Sequence, residues 1–506
     1  MQFLTPRSSH TCKTRHIRCD EKKPVCTNCE RLHLHCQAYE LIIKPSPWCS
    51  APAGALSSSS RVQPDGSSTG KVHGDASTAD SNGASVVTPE SIWDVFNQIR
   101  VPNGGTGSGE ATTDGSHSPL PASSSVPHTR HSPLDTVPLT AEMAHLLAVY
   151  RAGVATWMDI FDHGCAYQRE VLRRCLTSKL LLTSICAFTA KHLSLLRVPS
   201  GGNPDLNAPD WAAAAARYYG ESLRMLIACL SNNRSSQSPH DDPLTAAMLL
   251  GSYEMIAAQG QEHRRHFHGA MVLVKTHGIN AQSVEGLDRA NFWIYVRHDI
   301  TVALINETKL QVSPKEWNVK WREGESEEDT LGNQMLWLVG RAIDVAYALP
   351  CDLPDKGVSD SERQNICADA ARWLDSLPLS FRGVKYGELG DDHGFTKIYF
   401  AVPAAAAAMM YYHLLHILLY AEPTLHQPSW ATQVQDHASE IANIALSDLP
   451  QSVRSFSHSP LFFAAKHIKG RPKTMLLGLL EDLEVQHGFS TRGWVKKLQH
   501  IMEIVS

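Results

Sequence analysis

Five cysteines crowd into the first 36 residues, at Cys12, Cys19, Cys26, Cys29 and Cys36, with six, six, two and six residues between successive members. Thiolates are soft anionic ligands, and two of them separated by two residues can grip one tetrahedral zinc from a single turn of chain. The six-residue gaps let a short helix leave the metal and the chain return to it. The other seven cysteines (Cys49, Cys165, Cys175, Cys186, Cys229, Cys351 and Cys367) are scattered. The opening run MQFLTPRSSHTCKTRH has no apolar stretch of the kind a secretory signal needs. A reducing compartment is therefore expected, where clustered thiols take metal rather than pair as disulfides.

Cations are threaded through the same cluster. Lys13, Arg15, His16 and Arg18 lie between Cys12 and Cys19, and Lys22 and Lys23 lie before Cys26. Residues 1–36 hold seven Lys or Arg against three acids, while the whole chain carries a formal charge of -5. That balance argues against a surface that clings to nucleic acid or acidic lipid everywhere. It fits a local cationic head that neutralises phosphates and reads base edges from a short helix in the major groove. The plainer reading is a solvated basic face beside a structural zinc.

The spacing resembles the fungal Zn2Cys6 binuclear cluster, whose pattern is C-x2-C-x6-C, a loop with a proline, then C-x2-C-x6-C. Cys12, Cys19, Cys26, Cys29 and Cys36 match its second to sixth cysteines, and Pro24 sits in the loop. The resemblance implies two zinc ions, with the first and fourth cysteines bridging both. Here the first position is Ser9. Each zinc would then keep three thiolates, from Cys12, Cys19 and Cys26 and from Cys26, Cys29 and Cys36, with His10 or water available for a vacant position. Either the residues ahead of position 10 come from a mistaken exon or the head is weakened. The resemblance makes Arg15 and His16 the candidates for base contact and places Lys13, Arg18, Lys22 and Lys23 on phosphates. The guanine preference of arginine points to a G-rich trinucleotide half-site in double-stranded DNA, and the resemblance implies one of CGG type.

Behind the head, residues 37–136 contain runs such as APAGALSSSS, DGSSTG and VPNGGTGSGE. Such a composition buries too little apolar surface to offset chain entropy, so a disordered linker is expected. One island, TPESIWDVFNQIR at 88–100, has a capping Thr88, Pro89 at the first helical position, and Ile92, Phe96 and Ile99 on one face. It either folds on a partner or docks on the downstream domain. The QAYELIIKPSPW segment after Cys36 carries Pro45 and Pro47 and no heptad seam, so a coiled coil is not expected there, and monomeric binding or a homodimer paired through the large domain is the expectation instead.

From 137 to 503 the apolar spacing is helical almost throughout, in segments such as TAEMAHLLAVYRAGVATWMDIF, LTSKLLLTSICAFTAKHLSLL and WAAAAARYYGESLRMLIACL. Asp242 and Pro243 suit a helix start, and Gly278 and Pro350 suit helix ends. The fold class expected is mostly all-α, with a small zinc head, a linker and a large irregular helical domain. Ala401 to Tyr420 approaches membrane-spanning length, but Pro403, His413 and His416 favour a core helix, and no membrane partner is expected. YRAGVATWMDIFD, LLLTSICAFTAKHL, HRRHFHGAMVLVKTHG, FWIYVRHDITVALIN and RWLDSLPLSF, in that order, look like the fungal-specific regulatory domain that follows such heads. Trp157, Phe161, Trp293 and Trp373 read as core anchors.

Enzymatic readings find little support. His263 and His266 stand three apart in HRRHFH, but no H-E-x-x-H, G-x-S-x-G, Walker loop or dinucleotide fingerprint accompanies them. The expectation is a nuclear transcription regulator of RNA polymerase II genes that engages the transcription machinery, by resemblance one tied to a metabolic or secondary-metabolite pathway. The alternative is a cofactor that does not bind DNA because its zinc head has decayed.

Overall fold

The structure, a computed structural model, describes Cys29, Arg31 and residues 136–505 apart from 197–208, 232–241, 258–262, 323, 349–355, 388–394, 422–429 and 470. The chain divides into two compact units, Met1–Asn82 and Gly83–Ser506. The expected linker 37–136, its island 88–100, Pro350 and nearly all of the zinc head lie outside the described residues.

The second unit is helical. It runs α1 (Ala141–Ala152), α2 (Val154–Met158), a π turn over Tyr167–Val171 leading into α3 (Leu172–Arg174), α4 (Lys179–Leu195), α5 (Trp211–Ser231) and α6 (Pro243–Ala257). There follow α7 (His263–Thr276), α8 (Gly286–Asn306), α9 (Glu328–Ala346) and α10 (Lys356–Asp375). A two-stranded antiparallel hairpin, β1 (Val384–Tyr386) and β2 (Lys397–Tyr399), pairs Lys385 with Ile398. The chain closes with α11 (Pro403–Ala421), α12 (Ala431–Ala445), α13 (Gln451–Arg454), α14 (His458–His467), α15 (Arg471–His487) and α16 (Arg492–Val505).

Side-chain caps start the early helices. Thr140 accepts from Met143 N at 3.2 Å, Ser178 from Leu181 N at 3.2 Å, and Asp242 from Thr245 N at 2.9 Å, each satisfying an amide that the first turn leaves unpaired. Gly278 follows α7 with φ +64°, a conformation that costs glycine nothing. The helical apolar spacing of Thr140 to Phe161 is split between two helices: the ladder breaks at Gly153, whose φ of -114° and ψ of -102° lie outside the helical region. The chain then turns so that the Asp159 carboxylate accepts from the amides of Tyr167 (2.9 Å) and Gln168 (2.8 Å).

Two helix layers share one core. On one side α4 packs against α1, α5 and α6; on the other α11 packs against α9 and α12, and α12 against α14. Helix α11 is the apolar run noted in the sequence. It is long and apolar enough to cross a membrane, yet 83% of its most apolar window is buried within the fold, and Ala404 to Ala408 are buried without exception. A helix apolar on every face belongs inside a large protein, and five small side chains let its neighbours approach closely. Gly332 on α9 serves the same end, because a Cβ there would lie 2.3 Å from the Phe161 ring.

Candidate functional site

Of the predicted metal ligands, Cys29 is described: it is helical and 2% exposed. Arg31, two residues on, is helical and exposed. A thiol withdrawn from water beside a projecting cation is the arrangement expected where a metal is gripped from a helix start and the charge is left for a partner. The donor set fits zinc by its chemistry, since five thiolates within 25 residues have no other common role in a reducing compartment. Ser9 leaves it one bridging thiolate short of six. Cys12, Cys19, Cys26 and Cys36 lie outside the described residues, as do Lys13, Arg15, His16, Arg18, Lys22 and Lys23.

In the helical unit, His163, Glu327 and Asp329 are the one group of three possible metal ligands among the described residues. Their separations of 3.7 and 3.8 Å from the His163 ring, with Glu328 alongside at 3.7 Å, describe a surface ion-pair cluster. Asp329 also accepts from the backbone amides of His163 (3.2 Å) and Thr330 (2.7 Å). His263 and His266 fall at the start of α7, and their side chains lie outside the described residues.

The larger of two cavities among the described residues holds about 270 Å³. Helix α8 supplies one wall with Arg289, Ala290, Trp293 and Arg297, which share a face at helical spacing. The first turns of α9 supply another with Asp329, Thr330, Asn333 and Gln334, and Lys320, Arg322 and Glu325 precede them. Met158, Phe161 and Asp162 close the third side from the turn after α2. Arg297 and Met158 also line a smaller, mainly apolar cavity of about 70 Å³ beside Trp157, Phe188 and Phe456.

Arg297 is the unusual residue. It is 8% exposed, and its guanidinium donates to the Met158 carbonyl at 2.6 Å and lies 5.2 Å from the Phe456 ring centre. Burial pulls it down to about 10, against the opposing pull of Asp159, so it is still charged at neutral pH. Trp157, Phe161, Trp293 and Trp373 are buried as expected. Three of them do more than fill the core, because Phe161 and Trp293 line the larger cavity and Trp157 the smaller.

Sequence reasoning did not find this cavity. Its walls come from segments more than 100 residues apart, and Arg297 reads as one charge in FWIYVRHDIT. The available signal was that the apolar residues of α8 run around every face, which forces some of its charges inside.

The comparisons cover both units. Residues 145–505 match the fungal specific transcription factor domain, and residues 10–46 match the fungal Zn(2)-Cys(6) binuclear cluster domain, which binds two zinc ions. The second match begins just after Ser9. The chain is 23% identical over 485 residues to a transcription activator of Alternaria alternata, an alignment that covers 71% of this chain and 63% of that protein's length. No solved structure matches. These matches point to transcription rather than catalysis, and with 145–505 accounted for, the chain belongs to the fungal specific transcription factor domain family.

Proposed function

We propose that this protein is a sequence-specific DNA-binding transcription regulator of RNA polymerase II genes, acting in the nucleus. Residues 9–36 are its zinc-dependent DNA-reading head, 37–136 a linker and 137–503 the regulatory domain. The observation that carries the reading is the interleaving of Cys12, Cys19, Cys26, Cys29 and Cys36 with Lys13, Arg15, His16, Arg18, Lys22 and Lys23. Zinc held by the thiolates fixes a short cationic helix against a duplex. Arg15 and His16 reach bases, and the remaining cations bind phosphates. The relative is a transcription activator, which supports a positive regulator, and the resemblance of the head and regulatory domain suggests a metabolic or secondary-metabolite gene cluster as the target class.

The test is fluorescence anisotropy of the full chain on a CGG duplex and on a scrambled duplex. Each bidentate base contact is worth about 1–3 kcal/mol of discrimination, so Arg15→Ala with His16→Ala should abolish the preference for CGG. Binding that keeps its preference in the double variant overturns the assigned roles. Ser9 favours a second reading, a cofactor with a degenerate head. Zinc titration separates the two, since a working head takes two ions and a decayed one takes one or none, and Ser9→Cys should restore the second ion.

A further inference from the structure

The regulatory domain holds a buried cation, Arg297, that acids influence through space, Asp159 above all, but that none contacts in a direct ion pair among the described residues. Its guanidinium donates to a neutral carbonyl, Met158 O. A buried charge is ordinarily paired, because desolvation makes an isolated one costly. The neighbouring wall is also unfinished: Gln334 Nε2 and Asn333 Oδ1 are buried without hydrogen-bond partners, on residues 2% and 8% exposed. Buried polar atoms without partners call for an explanation such as a missing ligand.

The nearby acids are held by backbone amides rather than by Arg297: Asp159, whose charge acts on Arg297 from a distance, accepts from Tyr167 N (2.9 Å) and Gln168 N (2.8 Å). Asp162 accepts from the amides of Gly164 (3.0 Å) and Ala166 (2.9 Å), and Glu325 from those of Ser326 (3.0 Å) and Glu327 (3.1 Å). Asp329 is held by His163 N and Thr330 N. The cations are the uncommitted partners. Lys320 and Arg322 are exposed and form no hydrogen bond or ion pair among the described residues, and Arg289 donates to the Ser283 carbonyl at 3.2 Å. The cavity is thus lined by the exposed cations Lys320 and Arg322, the buried guanidinium of Arg297, and the apolar rings of Trp293 and Phe161.

We propose that this cavity binds a small organic carboxylate as an effector, with Arg297 as its anion anchor. The guanidinium fork matches the two oxygens of a carboxylate, Lys320 and Arg322 draw the anion in, and the aromatic walls cover its carbon body. A volume of about 270 Å³ lies near the lower end of small-molecule sites, which selects a compact metabolite over a polymer or a nucleotide. This inference is independent of the DNA-reading role of the head.

The experiment is thermal unfolding of the full chain in sodium succinate, with sodium chloride of equal ionic strength, inorganic phosphate and the neutral isostere succinamide as comparisons. Succinate should raise Tm in a saturable way, while succinamide and chloride should not. Arg297→Lys keeps the charge but loses the fork and should raise the half-saturating succinate concentration about tenfold or more. Should that variant fold poorly, Lys320→Ala with Arg322→Ala, both at exposed positions, should weaken succinate binding several-fold without lowering Tm. No succinate effect beyond chloride overturns the proposal. So does an equal rise with succinamide or phosphate, or a response unchanged in both variants.

Discussion

Three histidines between α11 and α12 make the protein's stability fall with acid, and His416→Phe isolates one contribution to that effect. His416 is 7% exposed, stacks on His437 with ring centres 4.4 Å apart, and has no hydrogen-bond partner at either ring nitrogen. Burial, aided by the nearby His437, lowers it from 6.5 to about 3. His413, which shares a 2.9 Å hydrogen bond with His437, is lowered to about 3 for the same reasons. Between those values the unfolded chain takes up a proton that the folded one refuses. The stability due to a neutral His416 is therefore present above pH 6.5 and is lost progressively as pH falls toward 3. At pH 5 the working pH lies ~1.5 units below the ordinary value, which at ~1.4 kcal/mol per unit comes to about 2 kcal/mol. Phenylalanine keeps the ring stack and removes the proton site. Urea unfolding of both proteins at pH 7.5 and pH 5 should show the variant losing about 2 kcal/mol less than the parent on acidification. Equal losses in the two proteins would refute the reasoning, since other titrating groups, such as Asp299, which burial raises to about 7, are common to both.

Gly332→Ala places a methyl 2.3 Å from the Phe161 ring, and overpacking of this kind should cost about 1–3 kcal/mol, read as a lower urea midpoint. Trp373→Ala removes a fully buried indole that donates to the Leu331 carbonyl at 3.1 Å and stacks on Tyr412, and a loss of about 3–5 kcal/mol is expected in the same assay. Zinc chelation should leave the main thermal transition of the helical domain in place, because its core is an apolar cluster of helices, and calorimetry with and without chelator checks this.

Much of the helical architecture was legible because it is carried by local chemistry. The apolar run around Tyr411 and Leu415 can satisfy its composition inside a core, Asp242 can cap only the helix that follows it, and Gly278 sits where a positive φ ends one. The break at Gly153 was not legible. Gly153 leaves the helical region there while its amide still donates to Val149 O, a backbone choice that the apolar period does not record. The cavity was hidden for a related reason. Arg297, Asn333, Gln334 and Asp162 are unremarkable in their own segments, and only packing of α8 against α9 leaves them facing one space. The zinc head is the opposite case: its ligands and cations lie within one short stretch, so spacing alone carried the inference.

Zinc on the N-terminal thiolates, on the reading above, shapes a DNA-reading surface. The most direct measurement is the affinity of the purified full chain for a CGG duplex before and after zinc removal, repeated across a salt series. The account predicts tight, zinc-dependent binding that weakens linearly in log–log form with salt as phosphate counterions are released. Binding that is indifferent to zinc, or no preference for CGG at low salt with zinc bound, would contradict it.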